Sequence, residues 1–583
     1  MKELMTANEA LAYGAYLSGV RVGAAYPGTP STQIMEKFAS FPGVHAEWTP
    51  NEKVAMDVGI GAAFAGTRAL VSTKHVGLNV AADSLFYAVY TGMNAGLLIA
   101  CADDPGMHSS QNEQDSRNYA KFAKAPMLEP SDSEEARQFA ATALEMSETF
   151  DTPVIVRFVT RTSHSSSVVD VDPAAVPPPA KELKPYKREI GKFVMVPGNA
   201  RRRHPIIEER IIKLREYAET TPLNRIEPGD DQLGIVAAGA VYQYAREVFP
   251  GATYLRLGMV YPLPDKLIRE FASRVKKILV IEELDPFFEE HFRSLGIQVA
   301  GKDVFPLIGE FSPSLIRQAS VKAGLLPAPV SGPSPAPALD LPVRPPTLCP
   351  GCGHRGMFIV LKEAGVVVMG DIGCYTLGAA SPLEALHFCG CMGASIGVAH
   401  GMDKGGIPDR HVAVIGDSTF FHSGLHPLIN VLYNQGKTTT IIADNGTTGM
   451  TGHQHHPGTG HTLQKQPTVK VDLETVVRGL GFGKVDVCDP NEMDAFRKIL
   501  EDHLKSGEAS VIIARRPCAL QTRERRTPPR VDPELCVNCG TCLDIGCSPL
   551  VQEEDCVSIN EALCTGCGLC VQVCPAEAIR QEA

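Results

Sequence analysis

Residues 412–418 read Val-Ala-Val-Ile-Gly-Asp-Ser, and residues 439–445 read Thr-Thr-Ile-Ile-Ala-Asp-Asn. Each stretch is a short apolar run that ends in polar residues, which predicts a buried strand followed by a loop. Because open parallel sheets bind ligands outside the carboxyl ends of their strands, Asp417 and Asn445 should lie at the same edge. Their carboxylate and amide oxygens suit Mg²⁺. The two stretches therefore predict an α/β sheet with a metal site at its edge.

The same alternation of apolar strands and helical patterns extends from this pair across most of the chain. It covers two large segments, 1–165 and about 349–516, with a smaller segment at 233–282 between them. Such strands between helices indicate parallel, doubly wound sheets. Residues 170–230 are typical of a connector, and Leu326–Pro346 of a semi-rigid Pro-rich linker. The strands predicted for the large segments are Val22–Ala25, Ala69–Ser72, Gly96–Ala100, Val154–Phe158, Val366–Met369, Val412–Ile415, Thr439–Ala443 and Ser510–Ala514.

Length and composition exclude several classes of protein. A chain of 583 residues is too long for one hydrophobic core, so we expect three to five domains. The net charge of −11 argues against a nucleic-acid partner, because phosphate binding requires a basic face. No apolar run reaches the roughly 18 residues of a membrane span, and the first residues lack the features of a signal peptide. We therefore expect a soluble cytoplasmic protein with no membrane partner.

Nine of the 17 cysteines lie between residues 536 and 574, in two runs with one further cysteine between them. Their spacing is that of bacterial two-cluster ferredoxins, in which the fourth cysteine of each run ligates the other cluster. We therefore predict two 4Fe–4S clusters, cluster one on Cys536, Cys539, Cys542 and Cys574, and cluster two on Cys564, Cys567, Cys570 and Cys547. The first run carries one extra residue before Cys547. Zinc is the alternative, although it usually takes two Cys-x-x-Cys pairs, and Cys556 is expected to be a packed apolar residue.

The spacing of the two opening stretches resembles a known cofactor motif. Gly416-Asp417-Ser418 is followed, after 26 residues, by Asn445. Thiamine diphosphate enzymes have a motif that begins Gly-Asp-Gly or Gly-Asp-Ser and closes with asparagine at about this distance. The resemblance implies Mg²⁺ on Asp417, Asn445 and the carbonyl of Thr447. Gly416 and Gly446 let the backbone approach the diphosphate, and Ser418 is a further cofactor-binding residue of the motif. The alternative is an ordinary turn at a strand end.

Two N-terminal motifs are similar to the pyrimidine-binding domain of 2-oxoacid:ferredoxin oxidoreductases. They are residues 26–32, Tyr-Pro-Gly-Thr-Pro-Ser-Thr, and residues 47–53, Glu-Trp-Thr-Pro-Asn-Glu-Lys. By motif position, the resemblance implies that Glu52 is the catalytic glutamate, which hydrogen-bonds the cofactor's aminopyrimidine, and that Thr29 contacts substrate. An acidic residue at a helix N-terminus, where it favours the macrodipole, is the other interpretation of Glu52. Glu47 is the rival carboxylate.

The resemblance covers nearly the whole chain. It includes residues 349–355 (Cys-Pro-Gly-Cys-Gly-His-Arg), 370–378 (Gly-Asp-Ile-Gly-Cys-Tyr-Thr-Leu-Gly) and 450–454 (Met-Thr-Gly-His-Gln), which resemble the α subunits of the indolepyruvate type. This implies oxidative decarboxylation of an aryl 2-oxoacid with coenzyme A, giving an aryl-acetyl-CoA, CO₂ and reduced ferredoxin. It also implies a smaller β subunit, similar to the γ domain of pyruvate oxidoreductases, in an α2β2 assembly.

Three other functions stay open from the sequence. The chain could belong to a pyruvate or branched-chain 2-oxoacid:ferredoxin oxidoreductase, to a non-redox thiamine decarboxylase, or to an electron-transfer scaffold without catalysis. The chain also departs from the family at His455-His456-Pro457, where Gln-Pro-His-Pro is expected after His453. We expect these histidines to line the cofactor cleft rather than to bind a metal.

The resemblance assigns a role to each predicted segment. We expect a pyrimidine-binding α/β domain at 1–170, a connector at 171–230, a small α/β domain similar to the transketolase C-terminal domain at 231–326, a Pro-rich linker at 327–348, a diphosphate- and Mg-binding α/β domain at 349–522, and a bacterial ferredoxin-like α+β domain at 523–583.

Four further cysteines occupy positions that resemble ligands of a proximal cluster in related oxidoreductases: Cys349, Cys352, Cys374 and Cys518. The resemblance implies a possible third cluster near the thiamine, and structural thiols are the alternative because one Cys-x-x-Cys pair is not specific. The remaining cysteines are expected to be small buried apolar residues, namely Cys101, Cys389, Cys391 and Cys488.

Overall fold

The computed structural model describes residues 1–172, 185–186, 188–327, 341, 345–522 and 525–581. The chain divides into two compact units, residues 1–336 and 337–583. Part of the predicted connector, most of the predicted linker and the ends of the ferredoxin-like segment lie outside the described residues, at 173–184, 187, 328–340, 342–344, 523–524 and 582–583. No described helix is long and apolar enough to cross a membrane.

The first unit alternates strands and helices along its length. Its strands are β1 (Lys2–Thr6), β2 (Val22–Ala25), β3 (His45–Trp48), β4 (Ala69–Lys74), β5 (Leu97–Asp103), β6 (Met127–Leu128), β7 (Val154–Val159), β8 (Ser166–Asp170), β9 (Asn224–Glu227), β10 (Asp230–Ala238), β11 (Ala252–Leu257), β12 (Met259–Tyr261) and β13 (Lys277–Val280). Its helices are α1 (Ala7–Leu17), α2 (Thr32–Ala39), α3 (Glu52–Phe64), α4 (His75–Val80), α5 (Ala82–Thr91), α6 (Ser116–Ala123), α7 (Ser133–Phe150), α8 (Thr160–His164), α9 (Ile190–Phe193), α10 (Pro197–Thr220), α11 (Gly239–Val248), α12 (Asp265–Arg274), α13 (Phe287–Ser294) and α14 (Pro313–Lys322).

A seven-stranded sheet lies at the centre of the first unit, in the order β12-β6-β7-β5-β4-β2-β3. Six of its strands are parallel, and β12 pairs antiparallel with β6 at one edge. The four predicted strands β2, β4, β5 and β7 are among the six, as their apolar runs indicate, whereas β3 and β6 were not predicted. The strand β12 comes from residues 259–261, so this sheet is not built from residues 1–170 alone. The predicted boundary at residue 170 therefore misses β12, because a three-residue edge strand carries too little periodicity to be recognised.

A four-stranded sheet follows, in the order β13-β10-β11-β9. Its strands β10, β11 and β13 are parallel and β9 is antiparallel to β11. Because β9 comes from Asn224–Glu227, the small domain begins before residue 231 and the predicted connector at 171–230 is too long. The rest of that segment includes α10, a 24-residue helix.

The two sheets of the first unit share one hydrophobic core, in which Val71 and Ile99 belong to the same buried cluster as Val236 and Leu255. Buried ion pairs also join the two domains. The guanidinium of Arg117 pairs with Asp115 (2.5 Å) of the N-terminal domain and with Glu282 (2.7 Å), which follows β13 of the small domain. Removing one partner of such a buried pair typically destabilises a protein by about 3–5 kcal/mol, because the other charge is left uncompensated. The small domain is therefore fixed on the N-terminal one.

The second unit contains a six-stranded, fully parallel sheet in the order β15-β14-β16-β17-β19-β18. Its strands are β14 (Val367–Asp371), β15 (Phe388–Gly390), β16 (His411–Gly416), β17 (Thr439–Asp444), β18 (Lys484–Cys488) and β19 (Ser510–Arg515). The helices around it are α15 (Gly353–Glu363), α16 (Ala394–Gly405), α17 (Asp417–Thr419), α18 (Leu425–Tyr433), α19 (Leu473–Gly479), α20 (Met493–Ser506) and α21 (Ala519–Thr522). The sequence predicts four of the six strands and misses the two edge strands.

The C-terminal segment forms two short antiparallel pairs and one helix, α22 (Leu569–Val573). Its strands are β20 (Arg530–Val531), β21 (Leu550–Gln552), β22 (Val557–Ile559) and β23 (Ile579–Arg580), paired β20 with β23 and β21 with β22. The segment shares a hydrophobic core with the parallel sheet, since Ile545 and Leu569 cluster with Met357 and Phe358. It is therefore packed as part of the second unit.

The extra residue of the first cysteine run lies in this contact. Gly546, just before Cys547, has φ +65°, and a Cβ there would lie 2.8 Å from a ring carbon of Pro382. The fully buried guanidinium of Arg355 donates to the carbonyl of Ile545 in the same loop. The lengthened loop thus anchors the cysteine segment on the parallel domain.

Candidate functional site

The predicted metal site lies where β16 and β17 end. These strands are parallel neighbours with Gly416 opposite Ala443, so Asp417 and the Asp444-Asn445 pair follow them at the same edge. The structure therefore brings together the two predicted side chains, Asp417 and Asn445, as the opening stretches indicate.

Two backbone N–H groups bond the carboxylate of Asp417, which is 2% exposed, and a histidine ring lies beside it. The backbone amide of Ser418 donates to Oδ1 (2.8 Å) and that of Gly446 to Oδ2 (2.7 Å). Nε2 of the buried His456 lies 3.2 Å from Oδ2. Because the Gly458 amide donates to Nδ1 of His456 (3.2 Å), the ring proton belongs on Nε2, facing the carboxylate.

The charges around Asp417 favour a cation. Burial and the neighbouring Asp417 charge raise the pKa of the Asp444 carboxyl, and the Arg515 guanidinium, 2.7 Å away, opposes this. Burial also lowers the pKa of His354 to about 4, although the Asp417 charge opposes that shift, so His354 supplies no positive charge at neutral pH. Two adjacent carboxyls with one guanidinium suit a divalent cation in this place.

The loop after β17 positions the other predicted residues. The amide of Thr447 donates to Oδ1 of Asn445 (3.0 Å), and Ser418 shares a hydrogen bond with the hydroxyl of Thr448 (2.8 Å). Gly446 has φ +71°, and a Cβ there would meet no atom within 4 Å. Backbone next to open space is the arrangement that diphosphate oxygens need.

In the first unit, Glu52 begins α3. Asn51 caps this helix by accepting a hydrogen bond from the Val54 amide (3.0 Å), which fixes the turn that carries Glu52. The side chain of Glu52 is buried, at 6% residue exposure, and a Cβ on Gly77 would lie 2.5 Å from its Oε1. The rival Glu47 is on β3 and pairs with the exposed His45 (2.7 Å). Of the two carboxylates, Glu52 is thus the one enclosed by the fold.

Thr29, the other predicted residue of this unit, lies in the loop after β2. Its carbonyl accepts a hydrogen bond from the hydroxyl of Ser109 (3.2 Å), and the Ser109 carbonyl accepts one from Nζ of Lys74 (3.0 Å). The carboxylate of Asp104 holds Ser109 and Ser110 through their N–H and hydroxyl groups (2.8 and 2.7 Å). Thr29 is therefore part of a polar cluster at the carboxyl edge of the sheet.

The cysteine tail forms two cavities. One is lined by the predicted cluster-one residues Cys536, Cys539, Cys542 and Cys574. The other is lined by the predicted cluster-two residues Cys547, Cys564, Cys567 and Cys570. Among the described residues, no three His, Cys, Asp or Glu side chains form a group that would hold a metal ion directly. The crossed sets are thus grouped around separate cavities, and Cys556 lines neither.

The four cysteines of the possible third cluster influence one another electrostatically. Burial raises the pKa of Cys352 to about 12, with Cys349 and Cys374 adding to the shift. Burial likewise raises the pKa of Cys374 to about 11, with Cys518 and Cys349 adding to it. The amide of Cys518 donates to the carbonyl of Asn445 (3.0 Å). The set therefore lies beside the predicted metal site.

Two of the remaining cysteine predictions are wrong. Cys389 and Cys391 are exposed, whereas Cys101 is buried and Cys488 is partly buried. The strand β15, which contains Cys389, is at the edge of the sheet. At an edge, the pattern of apolar residues along the sequence does not show which side chains are exposed to solvent.

Protein-family models match most of the chain. One described as pyruvate flavodoxin/ferredoxin oxidoreductase, thiamine diP-binding, matches residues 13–220. Another, the C-terminal TPP-binding domain of thiamine pyrophosphate enzymes, matches residues 371–514. A 4Fe-4S binding domain matches residues 557–580. The predicted thiamine-binding domains and iron–sulfur segment are confirmed at this level.

Full-length relatives decide the family. Indolepyruvate oxidoreductase subunit IorA of Archaeoglobus fulgidus is 39% identical over 99% of this chain and 97% of its own length. The subunit of the same name from Methanothermobacter thermautotrophicus is 38% identical over 100% of this chain and 97% of its own. The chain belongs to the indolepyruvate oxidoreductase IorA family. The family predicted from the motifs, within the 2-oxoacid:ferredoxin oxidoreductases, is therefore confirmed.

More distant relatives match part of this IorA-family chain. 2-Oxoglutarate synthase subunit KorA of Archaeoglobus fulgidus is 24% identical over 48% of the chain. A solved structure, 2-oxoglutarate:ferredoxin oxidoreductase from Magnetococcus marinus with 2-oxoglutarate, coenzyme A and succinyl-CoA bound, has a TM-score of 0.47 and 17% identity. That match covers 56% of this chain and 65% of the other, which is less than two thirds of its length.

Sequence reasoning missed several residues that the IorA-family fold places at these sites. They are Lys74 and Asp104 beside Thr29, and His354 beside Asp417. Lys74 ends β4, Asp104 follows β5, and His354 stands inside the motif at 349–355, and this position at a strand end or in a motif is the feature that could have marked each of them. For His456, the sequence predicted a place in the cleft without naming its partner Asp417.

Proposed function

We propose that this chain is the catalytic α subunit of a thiamine-diphosphate-dependent enzyme that converts an aryl 2-oxoacid, coenzyme A and oxidised ferredoxin into an aryl-acetyl-CoA, CO₂ and reduced ferredoxin. The observation that carries the proposal is the buried carboxylate of Asp417, held by two backbone N–H groups and flanked by His456, beside Asn445 at a parallel sheet edge. The name borne by the curated relatives supports an indolepyruvate-like substrate.

The residues around Asp417 fit the metal and the diphosphate in charge and in space. Asp417, Asn445 and the carbonyl of Thr447 would hold Mg²⁺, while the backbone at Gly416, Ser418 and Gly446 would face the diphosphate. Bound thiamine diphosphate supplies the electron sink for decarboxylation of a 2-oxoacid. The carboxylate of Glu52 would accept a hydrogen bond from the aminopyrimidine, and Thr29 would contact the substrate.

Two 4Fe–4S clusters in the tail would carry single electrons outward. The cavity proposed for cluster two is lined in part by Pro350 and Gly351, next to the Cys349–Cys352 turn. The cavity proposed for cluster one includes the exposed Cys539. Electrons would therefore pass through cluster two before they leave from cluster one.

Replacement of one cysteine should separate ligands from bystanders. We expect Cys567→Ser, in protein prepared anaerobically, to lose or destabilise one of the tail clusters, because Cys567 lines the cluster-two cavity. Cys556→Ser is the matched control and should keep both clusters, since Cys556 lines neither cavity. Iron and acid-labile sulfide analysis with EPR provides the measurement. Stoichiometric zinc without sulfide in the wild type would reject the cluster assignment.

A third cluster on Cys349, Cys352, Cys374 and Cys518 is part of the same proposal. Three cubanes give about twelve irons per chain and two give about eight. We expect the double variant Cys349→Ala, Cys352→Ala to drop from about twelve to about eight, whereas Cys488→Ala should not change the iron content. A wild-type chain with about eight irons that binds thiamine diphosphate normally would contradict this part.

The overall proposal is tested by activity of the assembled enzyme. The word subunit in the relatives' name supports a smaller partner, which we propose is γ-domain-like within an α2β2 assembly. The chain should be purified anaerobically with this partner and assayed on indolepyruvate, phenylpyruvate, pyruvate and branched-chain 2-oxoacids, with coenzyme A and ferredoxin. Preference for an aryl 2-oxoacid supports the proposal. Preference for pyruvate, release of aldehyde without ferredoxin reduction, or no turnover would favour one of the three alternatives.

A further inference from the structure

Lys74 places a buried ammonium group next to the candidate catalytic carboxylate of the first unit. It is the last residue of β4, and its residue exposure is 9%. One N–H of Nζ donates to the Ser109 carbonyl (3.0 Å), and the described residues place no carboxylate oxygen within 4.0 Å of it. An ammonium has three N–H donors, so the fold leaves two of them for another acceptor.

Lys74 lies against the loop that carries Thr29, the predicted substrate-contacting residue. A Cβ on Gly28 would lie 3.3 Å from the side-chain carbons of Lys74, so the loop that carries Thr29 packs on its stem. Lys74 and Thr29 also share Ser109, which accepts from Nζ and donates to the Thr29 carbonyl. Lys74 thus lies between the Thr29 loop and the start of α4.

The buried ammonium of Lys74 would be stabilised by an anionic partner. Burial lowers the pKa of Lys74 to about 8, while the charges of Asp104 and Glu52 oppose this shift. The group is therefore mainly cationic at neutral pH. Asp104 does not need this cation, because Ser109, Ser110 and Thr160 already donate to it. A buried charge with one hydrogen bond is costly unless a partner completes it.

We propose that Lys74 binds the carboxylate of the 2-oxoacid substrate. The inference rests on the proposed function. It names the residue by which the enzyme would recognise the carboxylate of its substrate. The nearby negative charges of Glu52 and Asp104 would repel a multiply charged phosphate group, whereas a single carboxylate can be held by the two remaining N–H donors. A carboxylate held beside Thr29 keeps the keto carbon near Glu52.

The test uses the assembled enzyme with its partner subunit, thiamine diphosphate and Mg²⁺. For Lys74→Met we expect the KM for indolepyruvate to rise roughly 10–100-fold, the range for a lost hydrogen bond between charged groups, with a smaller change in kcat. Cofactor affinity and C2 hydrogen–deuterium exchange of the bound cofactor should stay at wild-type values. Lys74→Arg should recover part of the loss. Lys53→Met is the matched control, because Lys53 is exposed and pairs with Asp57, and it should change nothing.

The affinity for an esterified substrate and the pH dependence of KM give two further readouts. The wild type should bind indolepyruvate more tightly than its methyl ester, and Lys74→Met should remove that preference. In the wild type the KM should rise above about pH 8, because the ammonium facing Glu52 and Asp104 is lost there, and Lys74→Arg should abolish this rise.

An unchanged KM in Lys74→Met would overturn the proposal, as would slowed C2 exchange at constant KM, which would make Lys74 a positioning residue for Glu52. A wild-type enzyme inactive on every 2-oxoacid would instead reject the proposed function.

Discussion

Glu52→Gln is expected to retain near-wild-type affinity for thiamine diphosphate and to lose 2-oxoacid-dependent ferredoxin reduction. The substitution keeps the shape of this buried side chain and removes its basicity. A carboxylate hydrogen-bonded to the aminopyrimidine favours the tautomer that takes the C2 proton, and acid–base assistance of this kind is typically worth about 10²–10⁴-fold. The Mg²⁺ and diphosphate residues belong to the other unit of the chain, so binding should survive. The measurement is C2 hydrogen–deuterium exchange of the bound cofactor, alongside turnover.

Glu47→Gln is the matched control for this experiment. Glu47 stands five residues earlier in the same motif and pairs with the exposed His45 at 2.7 Å, so its loss should affect neither exchange nor turnover. Normal exchange in Glu52→Gln together with collapse in Glu47→Gln would identify Glu47 as the catalytic carboxylate. Normal behaviour of both variants would remove the N-terminal domain from the chemistry.

Asp417→Ala should abolish Mg²⁺-dependent binding of thiamine diphosphate. Asp417 is the only formally anionic protein ligand in the proposed metal set, and the other two ligands, from Asn445 and Thr447, are neutral oxygens. Removing it also leaves the Gly446 amide without its acceptor, which is 2.7 Å away in the native site. Isothermal titration calorimetry with and without Mg²⁺ measures the effect.

The control for Asp417→Ala is Asp494→Ala. The Asp494 side chain is 89% exposed on α20 and bonds only to Arg497 in the described structure, so its removal should leave cofactor affinity intact. The cluster spectrum should be unchanged in both variants, which shows that the chain still folds. Unaltered affinity of Asp417→Ala would mean that its resemblance to the thiamine motif is coincidental.

Much of the fold could be predicted because its signals are local. The strand Val22–Ala25 has the predicted bounds, and all four central strands around Asp417 were found. Buried parallel strands are apolar on both faces, so each is visible as a short run of the sequence. The elements that were missed, such as β9, β12 and β15, are short or lie at sheet edges, where one face or end needs no apolar residue.

What the sequence determined by itself is the chemistry that depends on spacing. The cysteine runs and the interval from Asp417 to Asn445 fix which ligand types stand at the ends of which elements, because a strand end or a tight loop presents residues in chain order. What the tertiary structure decided is which side chains from distant segments meet and which are buried. It enclosed Glu52 and left Glu47 beside exposed His45, and it placed His456 against Asp417. It also set Lys74 beside Thr29 with most of its donors unused. Burial and long-range contact arise only when the sheets pack, and a hydrophobic pattern along the chain carries neither.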